Sequence, residues 1–419
     1  MSHLLGSGDA FNGDAFNGDA FNGDAFNGDA FNGDAFNGDA FNGDAFTGRD
    51  ADPEPLTEPS AAAAEAARRR LAELPVGPGA LGRLADLGVW AASVQGRCPP
   101  LPFLRVRILL LAGDHGIAAA AVSAHPPSAT GQMVRAVASG GAAVNVLARA
   151  TGATVRLLDL AVDSSVDSAV DRAAGMAEVR AEADSGADTE AGAGAGTPTE
   201  AAFRVRSSSG RIDREDALSH DEARQAFAAG TRIADDEVDG GADLLVPAEL
   251  GVGASTPASV IVAALTGAEP VDAIGRGSGI DDDTWMRKLA AIRDALRRAR
   301  GRVDPFVLLA VAGGADIAAM AGVLSQAAIR RTPVLIDGLV PAAAALVARE
   351  VTPGAEQWWL AGHRSPEPAQ HLALSRLGLP PLLDLDASAG QGTGALLALL
   401  LLDAAIRLLG ETAPWPEPA

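Results

Sequence analysis

The sequence of 419 residues contains one cysteine, Cys98, and no tyrosine. A single cysteine excludes a disulfide within the chain, which suits a reducing compartment and predicts a cytoplasmic protein. Eight of the twelve phenylalanines lie in a repetitive segment before residue 50, so the remainder has few aromatic side chains. We therefore expect a hydrophobic core that is built mainly from Ala, Val, Leu and Ile.

Positive charge is also scarce: 33 Lys and Arg residues stand against 54 Asp and Glu residues, and the formal net charge is -21. Nucleic acids and anionic membranes favour basic surfaces, so neither is expected as a partner. The start MSHLLGSGDAF does not have the pattern of a signal peptide. The apolar stretch 395–402 is followed by Asp403 and Arg407, and we expect it to be too short to span a bilayer.

Two segments are not expected to fold. From Asp9 the pentad DAFNG repeats seven times and then decays. A period of five matches neither a helix nor a strand, so residues 1–55 are predicted to be a disordered tail. A regular aromatic array that binds a partner is the alternative. Residues 163–201 have almost no large apolar side chain, which predicts a disordered surface insertion.

Short apolar runs alternate with helical patterns in the rest of the chain. VRILLLAGDHG, ATVRLLDLAVD, ADLLVPAELG, TPVLIDG and EQWWLAGHR are typical of buried strands that end in polar loops. A helical pattern spans residues 131–151, and FVLLAVAGGADIAAMAG predicts a strand or a helix that leads through a Gly-Gly turn into a helix. The alternation predicts an α/β protein with a doubly wound, mostly parallel sheet, and helices from both chain ends packed on it.

The loops after the predicted strands are the first candidates for a site, because such sheets bind ligands at the carboxyl ends of their strands. In AGDHG, Asp114 and His115 could belong to a site, or Asp114 could simply accept backbone N–H groups in a turn. In AELGVGASTPAS, Glu249 leaves a strand before small residues at a helix start, which suits a phosphate. The alternative is an ordinary N-cap by Ser255 or Thr256.

Two further loops have ambiguous local signals. IGRGSG resembles a phosphate-binding glycine loop, but its spacing is not the dinucleotide fingerprint, and Lys288 beyond it is either a ligand contact or a solvated lysine. HRSPEPAQH contains His363, Glu367 and His371. Two intervening prolines oppose a single helix that presents both histidines, so we expect neither a metal nor a cofactor.

The order of the motifs along the chain is more specific than any one of them. AGDHGIAAAAVSAHPP, AELGVGAST, IGRGSGIDD, AGGADIAAMAG, PVLIDG, AGHRSPEP and GQGTGALLAL together resemble the nicotinate-nucleotide-dimethylbenzimidazole phosphoribosyltransferase family over residues 57–412. The resemblance implies transfer of phosphoribose from nicotinate mononucleotide to 5,6-dimethylbenzimidazole, which gives α-ribazole 5'-phosphate for the lower ligand of cobalamin. It also implies a homodimer. Residues 106–375 would form the sheet domain, and residues 56–105 and 376–412 the smaller helical part with the catalytic loop.

The resemblance also assigns site residues. The benzimidazole pocket would be lined by Ser123, His125, Gln132 and Met133. The nucleotide would be surrounded by Gly251, Gly253, Ser255, Thr256, Lys288, Gly313 and Gly314. The catalytic positions would be Gln391 and Glu249.

This sequence departs from the family pattern at the proposed proton acceptor. The family reads GEG[ST]G in its last motif, whereas Gln391 stands here in place of the glutamate, and Ala254 replaces an asparagine in the nucleotide loop. An amide accepts a hydrogen bond but cannot accept the proton. Three hypotheses follow: an active enzyme that uses water, Glu249 or Asp386 as proton acceptor, a binding protein without turnover, or a transferase with a different acceptor base.

Overall fold

A computed structural model describes residues 56–77, 79–163, 178–179, 203–302 and 304–413. The predicted tail, residues 1–55, lies outside the described residues, and so does most of the predicted insertion 163–201. Within that insertion, Glu178–Val179 form a two-residue strand.

A parallel sheet organises the described chain. Its strands are β1 Val106–Gly113, β2 Thr154–Ala161, β3 Glu178–Val179, β4 Leu244–Leu250, β5 Val334–Asp337, β6 Trp359–Arg364 and β7 Leu383–Asp384. The order across the sheet is β3-β2-β1-β4-β5-β6-β7. β3 pairs antiparallel with β2, and the other neighbours are parallel. The predicted α/β fold with a mostly parallel sheet is confirmed.

Helices cover both faces of this sheet. They are α1 Ala61–Glu73, α2 Arg83–Gln95, α3 Ala129–Ala138, α4 Ala143–Thr151, α5 His220–Asp239, α6 Ser255–Thr266, α7 Pro270–Ala273, α8 Asp282–Ala299, α9 Pro305–Ala312, α10 Ala315–Ile329, α11 Leu339–Val351, α12 Pro368–Leu377 and α13 Thr393–Glu411. Short 3-10 helices lie at Gly116–Ala120 and Ala355–Trp358.

The side chains of β1 show why both faces are apolar. Leu109 and Leu111 belong to the core under α5, α6, α10 and α11, whereas Ile108 and Leu110 belong to the core under α2, α4 and α13. Alternate strand residues point to opposite faces, so a strand buried on both faces has no polar alternation. This is the physical reason for the unbroken run VRILLLAG.

Two helix predictions need correction or completion. The pattern over residues 131–151 forms two helices, α3 and α4, because the chain turns at Gly140 and Gly141 between them. The apolar run that begins at Phe306 is a helix, α9, and Asp304 caps it by accepting the N–H groups of Phe306 and Val307.

The two ends of the chain meet on the sheet. α13 packs on α2, and the Arg70 side chain of α1 donates a hydrogen bond to the Gly410 carbonyl at 2.9 Å. Ser60 caps α1 by accepting the N–H of Ala63 at 3.2 Å. These contacts join the terminal segments that the sequence analysis assigned to one helical part.

The prediction that residues 395–402 are too short to span a membrane is wrong as a statement about length. The helix that contains them, α13, has 19 residues, and an 18-residue part of it has a mean hydropathy of 1.8, which meets the length and composition of a membrane span. In the structure, 56% of that apolar window is buried. Leu396, Leu399 and Leu402 pack into the core under α2 and α4, so this helix covers one face of the sheet.

Candidate active site

The strand order places a crevice between β1 and β4. β2 extends the sheet on one side of β1 and β4 on the other, so the chain switches direction at this pair. Crevices at such switch points, beyond the carboxyl ends of the strands, are where open α/β sheets bind ligands. Here a cleft of about 1350 Å³ opens beyond β4, β5 and β6. It is the candidate active site.

The cleft brings together most of the residues that the sequence analysis assigned to a site. Its wall includes Ser123, His125, Met133, Glu249, Gly251, Gly253, Ser255, Lys288 and Gln391. Predicted acceptor residues and predicted nucleotide residues therefore share one cavity.

Glu249 lies at the carboxyl end of β4, beside Leu111 of β1. Its Oε2 atom is buried and has no hydrogen-bond partner within the described chain. Burial raises the pKa of this carboxyl to about 8, and the charges of Asp337 and Asp316 raise it further against the opposing effect of a backbone hydrogen bond. Glu249 is thus a carboxyl group that exchanges its proton near neutral pH.

Gln391 lies in a turn that packs against Glu249. The φ angles of Gly390, Gln391 and Gly392 are 66°, 57° and 75°, so three successive residues are left-handed. Only glycine adopts this region without a steric cost, and a glutamine there is held by its surroundings. A Cβ on Gly390 would lie 3.3 Å from Oε1 of Glu249. The turn therefore places residue 391 in the cleft wall beside that carboxyl group.

Asp337, at the end of β5, holds this turn in place. Its Oδ2 atom accepts the N–H of Gly394 at 2.7 Å and that of Ala395 at 3.2 Å. Its Oδ1 atom is 3.5 Å from Nδ1 of His363. A buried carboxylate therefore satisfies two free N–H groups at the start of α13.

Lys288 is the only lysine in the sequence, and it is 1% exposed. Its Nζ atom donates to Ser255 Oγ and to the Gly275 carbonyl, each at 3.1 Å. Burial lowers the pKa of this amine, although the charge of Glu367 acts in the opposite direction. Since the side chain is buried in the cleft wall, the interpretation of Lys288 as a solvated lysine is wrong.

The start of α6 supplies further donors to the same end of the cleft. Ala254 occupies the N-cap position and offers no side-chain cap, so the interpretation of Ser255 or Thr256 as the N-cap is wrong. Gly253 to Ser255 line the cleft. A helix N-terminus with free N–H groups beside an ammonium group is a suitable binding site for a phosphate.

Four predicted residues lie outside the cleft wall. Gln132 is exposed, and its neighbour Met133 reaches the cleft instead. Thr256 is buried within α6, and its hydroxyl has no partner in the described structure. Gly313 and Gly314 join α9 to α10, and a Cβ on Gly314 would lie 2.5 Å from Cε1 of His115.

The two polar residues of the loop after β1, Asp114 and His115, have different partners. Asp114 Oδ2 accepts the N–H of Asp163 at 2.8 Å, so its carboxylate does accept a backbone N–H, but one from the segment after β2 and not from its own turn. His115 Nε2 lies 3.1 Å from Asp316 Oδ2, with both side chains buried. Burial favours the neutral ring, but the charge and hydrogen bond of Asp316 outweigh burial and raise the pKa of His115. Asp114 and His115 also line a second, open cavity.

The two histidines considered as metal ligands have other partners. His363 accepts the N–H of Leu385 at 3.3 Å with Nε2, and its other ring nitrogen faces Asp337. His371 Nε2 lies 2.7 Å from the Ser365 carbonyl. Within the described ranges no group of three or more His, Cys, Asp or Glu side chains could hold a metal ion.

Sequence reasoning missed several residues of the cleft. The wall also contains Arg276, Gly277, Ser278, Asp337, His363, Ser365 and Glu367. The signal for Asp337 was present, since it is the acidic residue at the end of the predicted strand PVLID. Glu367 was considered only as a metal ligand, because only the fold brings its carboxylate within 2.7 Å of the Gly277 N–H.

Comparison with known proteins fits this site. A family model described as phosphoribosyltransferase matches residues 56–417. This chain belongs to that phosphoribosyltransferase family. It is 50% identical over 364 residues to the nicotinate-nucleotide–dimethylbenzimidazole phosphoribosyltransferase of Mycobacterium ulcerans, an alignment that covers 87% of this chain and 94% of that protein. The protein of the same name from Mycobacterium leprae is 49% identical over 364 residues, or 87% and 95% of the two chains.

Solved structures of phosphoribosyltransferases agree on the fold. A crystal structure of CobT from Thermus thermophilus has a TM-score of 0.73 and 33% identity, and the match covers 84% of this chain and 97% of that one. A second structure, a nicotinate-nucleotide-dimethylbenzimidazole phosphoribosyltransferase from the same organism, has a TM-score of 0.72 and 32% identity, with 85% and 97% coverage. The chain is therefore a phosphoribosyltransferase of this fold, as its motifs indicated.

Proposed function

We propose that this phosphoribosyltransferase transfers phosphoribose from nicotinate mononucleotide to 5,6-dimethylbenzimidazole, and that Glu249 is the proton acceptor. Its relatives carry the name of that reaction. The observation that carries the proposal is the Oε2 atom of Glu249, which is buried, has no hydrogen-bond partner among the described residues and belongs to a carboxyl beside the turn of Gln391. The product would be α-ribazole 5'-phosphate in cobalamin assembly, made by a cytoplasmic homodimer without a metal or cofactor.

The reaction balances as a substitution at the anomeric carbon. A ring nitrogen of the benzimidazole attacks that carbon from the face opposite the nicotinate, and the bond to the pyridinium nitrogen breaks with its electron pair. Nicotinate leaves as a neutral ring, so it needs no acid. The second benzimidazole nitrogen must lose its proton, and a base placed there contributes about 10²- to 10⁴-fold in rate.

Glu249 suits this proton transfer better than the other candidates. Gln391 can accept the N–H hydrogen bond and orient the ring, but it cannot accept the proton. Asp386 is exposed and is not part of the cleft wall. With a pKa of about 8, Glu249 is ionised in roughly one molecule in ten at pH 7, and its high proton affinity favours transfer once it is ionised.

The nucleotide would bind at the opposite end of the cleft. Lys288, Ser255 and the N-terminus of α6 would hold its phosphate. These local donors supply the positive potential that the overall charge of -21 does not.

Single-turnover synthesis tests the proposal. Enzyme in excess is mixed with nicotinate mononucleotide and dimethylbenzimidazole, and α-ribazole phosphate is separated by chromatography. We expect product with the wild type and a loss of about 10²-fold or more with Glu249→Gln. An exposed-site control, Ser139→Ala, should behave as the wild type, because its hydroxyl bonds only to the Ala136 carbonyl in the described structure.

The outcomes separate the three hypotheses. Binding of nicotinate mononucleotide without any product from dimethylbenzimidazole would contradict the proposal. Product with other nitrogen bases but not with dimethylbenzimidazole would indicate a transferase with a different acceptor. The absence of product with any base would indicate a binding protein. Product from Glu249→Gln at the wild-type rate would leave transfer in place but exclude Glu249 as the base.

A further inference from the structure

Two loops meet across the mouth of the cleft. One is the acceptor loop, residues 121–128, and the other is the phosphate loop, residues 275–280. Ser278 Oγ lies 3.3 Å from Ser123 Oγ and accepts the N–H of Ala124 at 3.0 Å. Ser278 therefore connects a loop on the nucleotide side to a loop on the acceptor side.

The phosphate loop is in turn fixed at its base. The N–H of Gly277 donates to Oε1 of Glu367 at 2.7 Å. Lys288 Nζ donates to the Gly275 carbonyl at 3.1 Å, and a Cβ on Gly277 would lie 3.4 Å from that same Nζ atom. An anion held by Lys288 therefore lies against the backbone of this loop and restricts its motion.

The acceptor loop depends on the contact with Ser278. Ser123 is half-buried in the cleft wall, and its Oγ atom accepts the N–H of His125 at 3.1 Å. Each serine oxygen thus accepts one backbone N–H, and one of the two hydroxyls donates to the other. This arrangement fixes the rotamer of Ser123, whose side chain faces the cavity. The Arg287 side chain adds one bond, to the Ala121 carbonyl at 3.1 Å.

We propose that Ser278 couples the two halves of the cleft, so that a phosphorylated ligand at Lys288 orders the acceptor loop for an aromatic base. Ser278 would act through Ser123 and Ala124 and would touch no reacting atom, so it is a positioning residue. The identity of the base as a benzimidazole rests on the proposed function. The coupling itself requires only that an anionic sugar phosphate and an aromatic base bind in the same cleft.

Equilibrium binding without turnover tests the coupling. The probe for the nucleotide side is ribose 5-phosphate, which has the sugar and phosphate but no leaving group. The dissociation constant of dimethylbenzimidazole is measured by calorimetry with and without saturating ribose 5-phosphate, for the wild type, Ser278→Ala and Ser278→Thr. Ser139→Ala is the control, since it also removes one exposed serine hydrogen bond.

We expect ribose 5-phosphate to tighten dimethylbenzimidazole binding by about fivefold or more in the wild type. Ser278→Ala should reduce this effect to less than about twofold, while Ser278→Thr, which keeps the hydroxyl, and Ser139→Ala should retain it. In turnover, Ser278→Ala should raise KM for the acceptor base and leave kcat at saturating base unchanged.

Two results would overturn the coupling. One is a wild type in which ribose 5-phosphate has no effect on base binding, and the other is a Ser278→Ala variant with the full effect. Failure of the proposed function is a different result, because the binding experiment needs no turnover. A protein that makes no product can still be tested for the effect of ribose 5-phosphate on base binding. A parallel loss of melting temperature and of all binding in Ser278→Ala and Ser278→Thr would indicate a purely structural role.

Discussion

The backbone of Gly390 lies against the carboxyl group of Glu249: a Cβ at residue 390 would be 3.3 Å from Oε1. The turn that carries Gln391 and the end of β4 therefore form one surface, although 141 positions separate Glu249 from Gly390 in the sequence. The motif resemblance predicts a glutamate at position 391, where this chain has the amide of Gln391. The nearby carboxyl of Glu249 has a pKa raised to about 8, chiefly by burial.

Glutamate at position 391 should restore a second base. For Gln391→Glu we expect single-turnover synthesis to increase by about 10²-fold at pH 7, because a carboxylate would face the benzimidazole N–H in addition to Glu249. The measurement is the rate of α-ribazole phosphate formation. Gln391→Asn is the matched control, since it keeps the amide chemistry. No gain with the glutamate would indicate that proton removal does not limit the rate.

The pH profile of the wild type should report Glu249. Below its pKa of about 8, the ionised fraction of this carboxyl rises about tenfold for each unit by which the pH increases, so kcat/KM should rise with pH and level off above about 8. Gln391→Glu should shift this acidic limb to lower pH. A flat profile between pH 6 and 8 in the wild type would exclude Glu249 as the titrating base.

The carboxyl of Glu249 should also affect stability, which should fall as pH rises, whereas activity should increase. Its pKa is raised in the folded protein from 4.5 to about 8, so the folded state binds this proton more tightly than the unfolded state. The resulting stabilisation is complete below pH 4.5 and is lost as pH rises to 8. Glu249→Gln should therefore lose less melting temperature between pH 5 and 9 than the wild type. An equal loss of melting temperature in both proteins would contradict the raised pKa. Glu65→Gln, a substitution of an exposed glutamate, is the control.

Lys288 should determine nucleotide affinity. Lys288→Ala removes a buried donor beside Ser255, and we expect KM for nicotinate mononucleotide to rise by about 10- to 100-fold with a smaller change in kcat. Burial lowers the pKa of this amine from 10.5. As pH rises, Lys288 should therefore lose its charge, and nucleotide binding should weaken, at a lower pH than an ordinary lysine would allow. Isothermal titration with the nucleotide at increasing pH measures both effects.

Asp337 should be required for the start of α13. Asp337→Ala would leave the buried N–H groups of Gly394 and Ala395 without an acceptor, at a cost of about 2–5 kcal/mol in the free energy of unfolding. Asp337→Asn keeps one acceptor oxygen and should cost less. Urea denaturation of the two variants measures the difference. Similar stability of Asp337→Ala and the wild type would show that the start of α13 does not depend on this carboxylate.

Local sequence was sufficient where one short segment decides the outcome. The run VRILLLAG has no polar alternation because both faces of β1 are buried, and this pattern indicated the parallel sheet. Ser60 is followed by a strong helix former, so its capping role was readable from neighbouring residues. The break between α3 and α4 was missed because two adjacent glycines can also lie within a longer helical pattern.

The residues of the candidate site also fall into those that local sequence identified and those that only the fold brought together. Strand ends and family motifs brought Glu249, Lys288 and Gln391 to attention, since parallel strands end at one edge of the sheet. Gln132 was placed in the pocket by resemblance, whereas the helical rotation of α3 turns Met133 to the cleft instead. The loop of Ser278 and the residue Glu367 were noticed in the sequence, but their contacts were not predicted because their partners lie far away in sequence.

The sequence by itself determined the sheet and the family, and it placed Gln391 where the resemblance predicts a glutamate, because strand patterns and motif order depend on neighbouring residues. Only the tertiary structure decided that Oε2 of Glu249 is buried, that this carboxyl lies beside the turn of Gln391, and that Lys288 is enclosed in the cleft wall. Burial and proximity between distant segments set the proton affinity of both groups. Neither quantity exists until the carboxyl ends of the strands and the start of α13 have been brought together by folding.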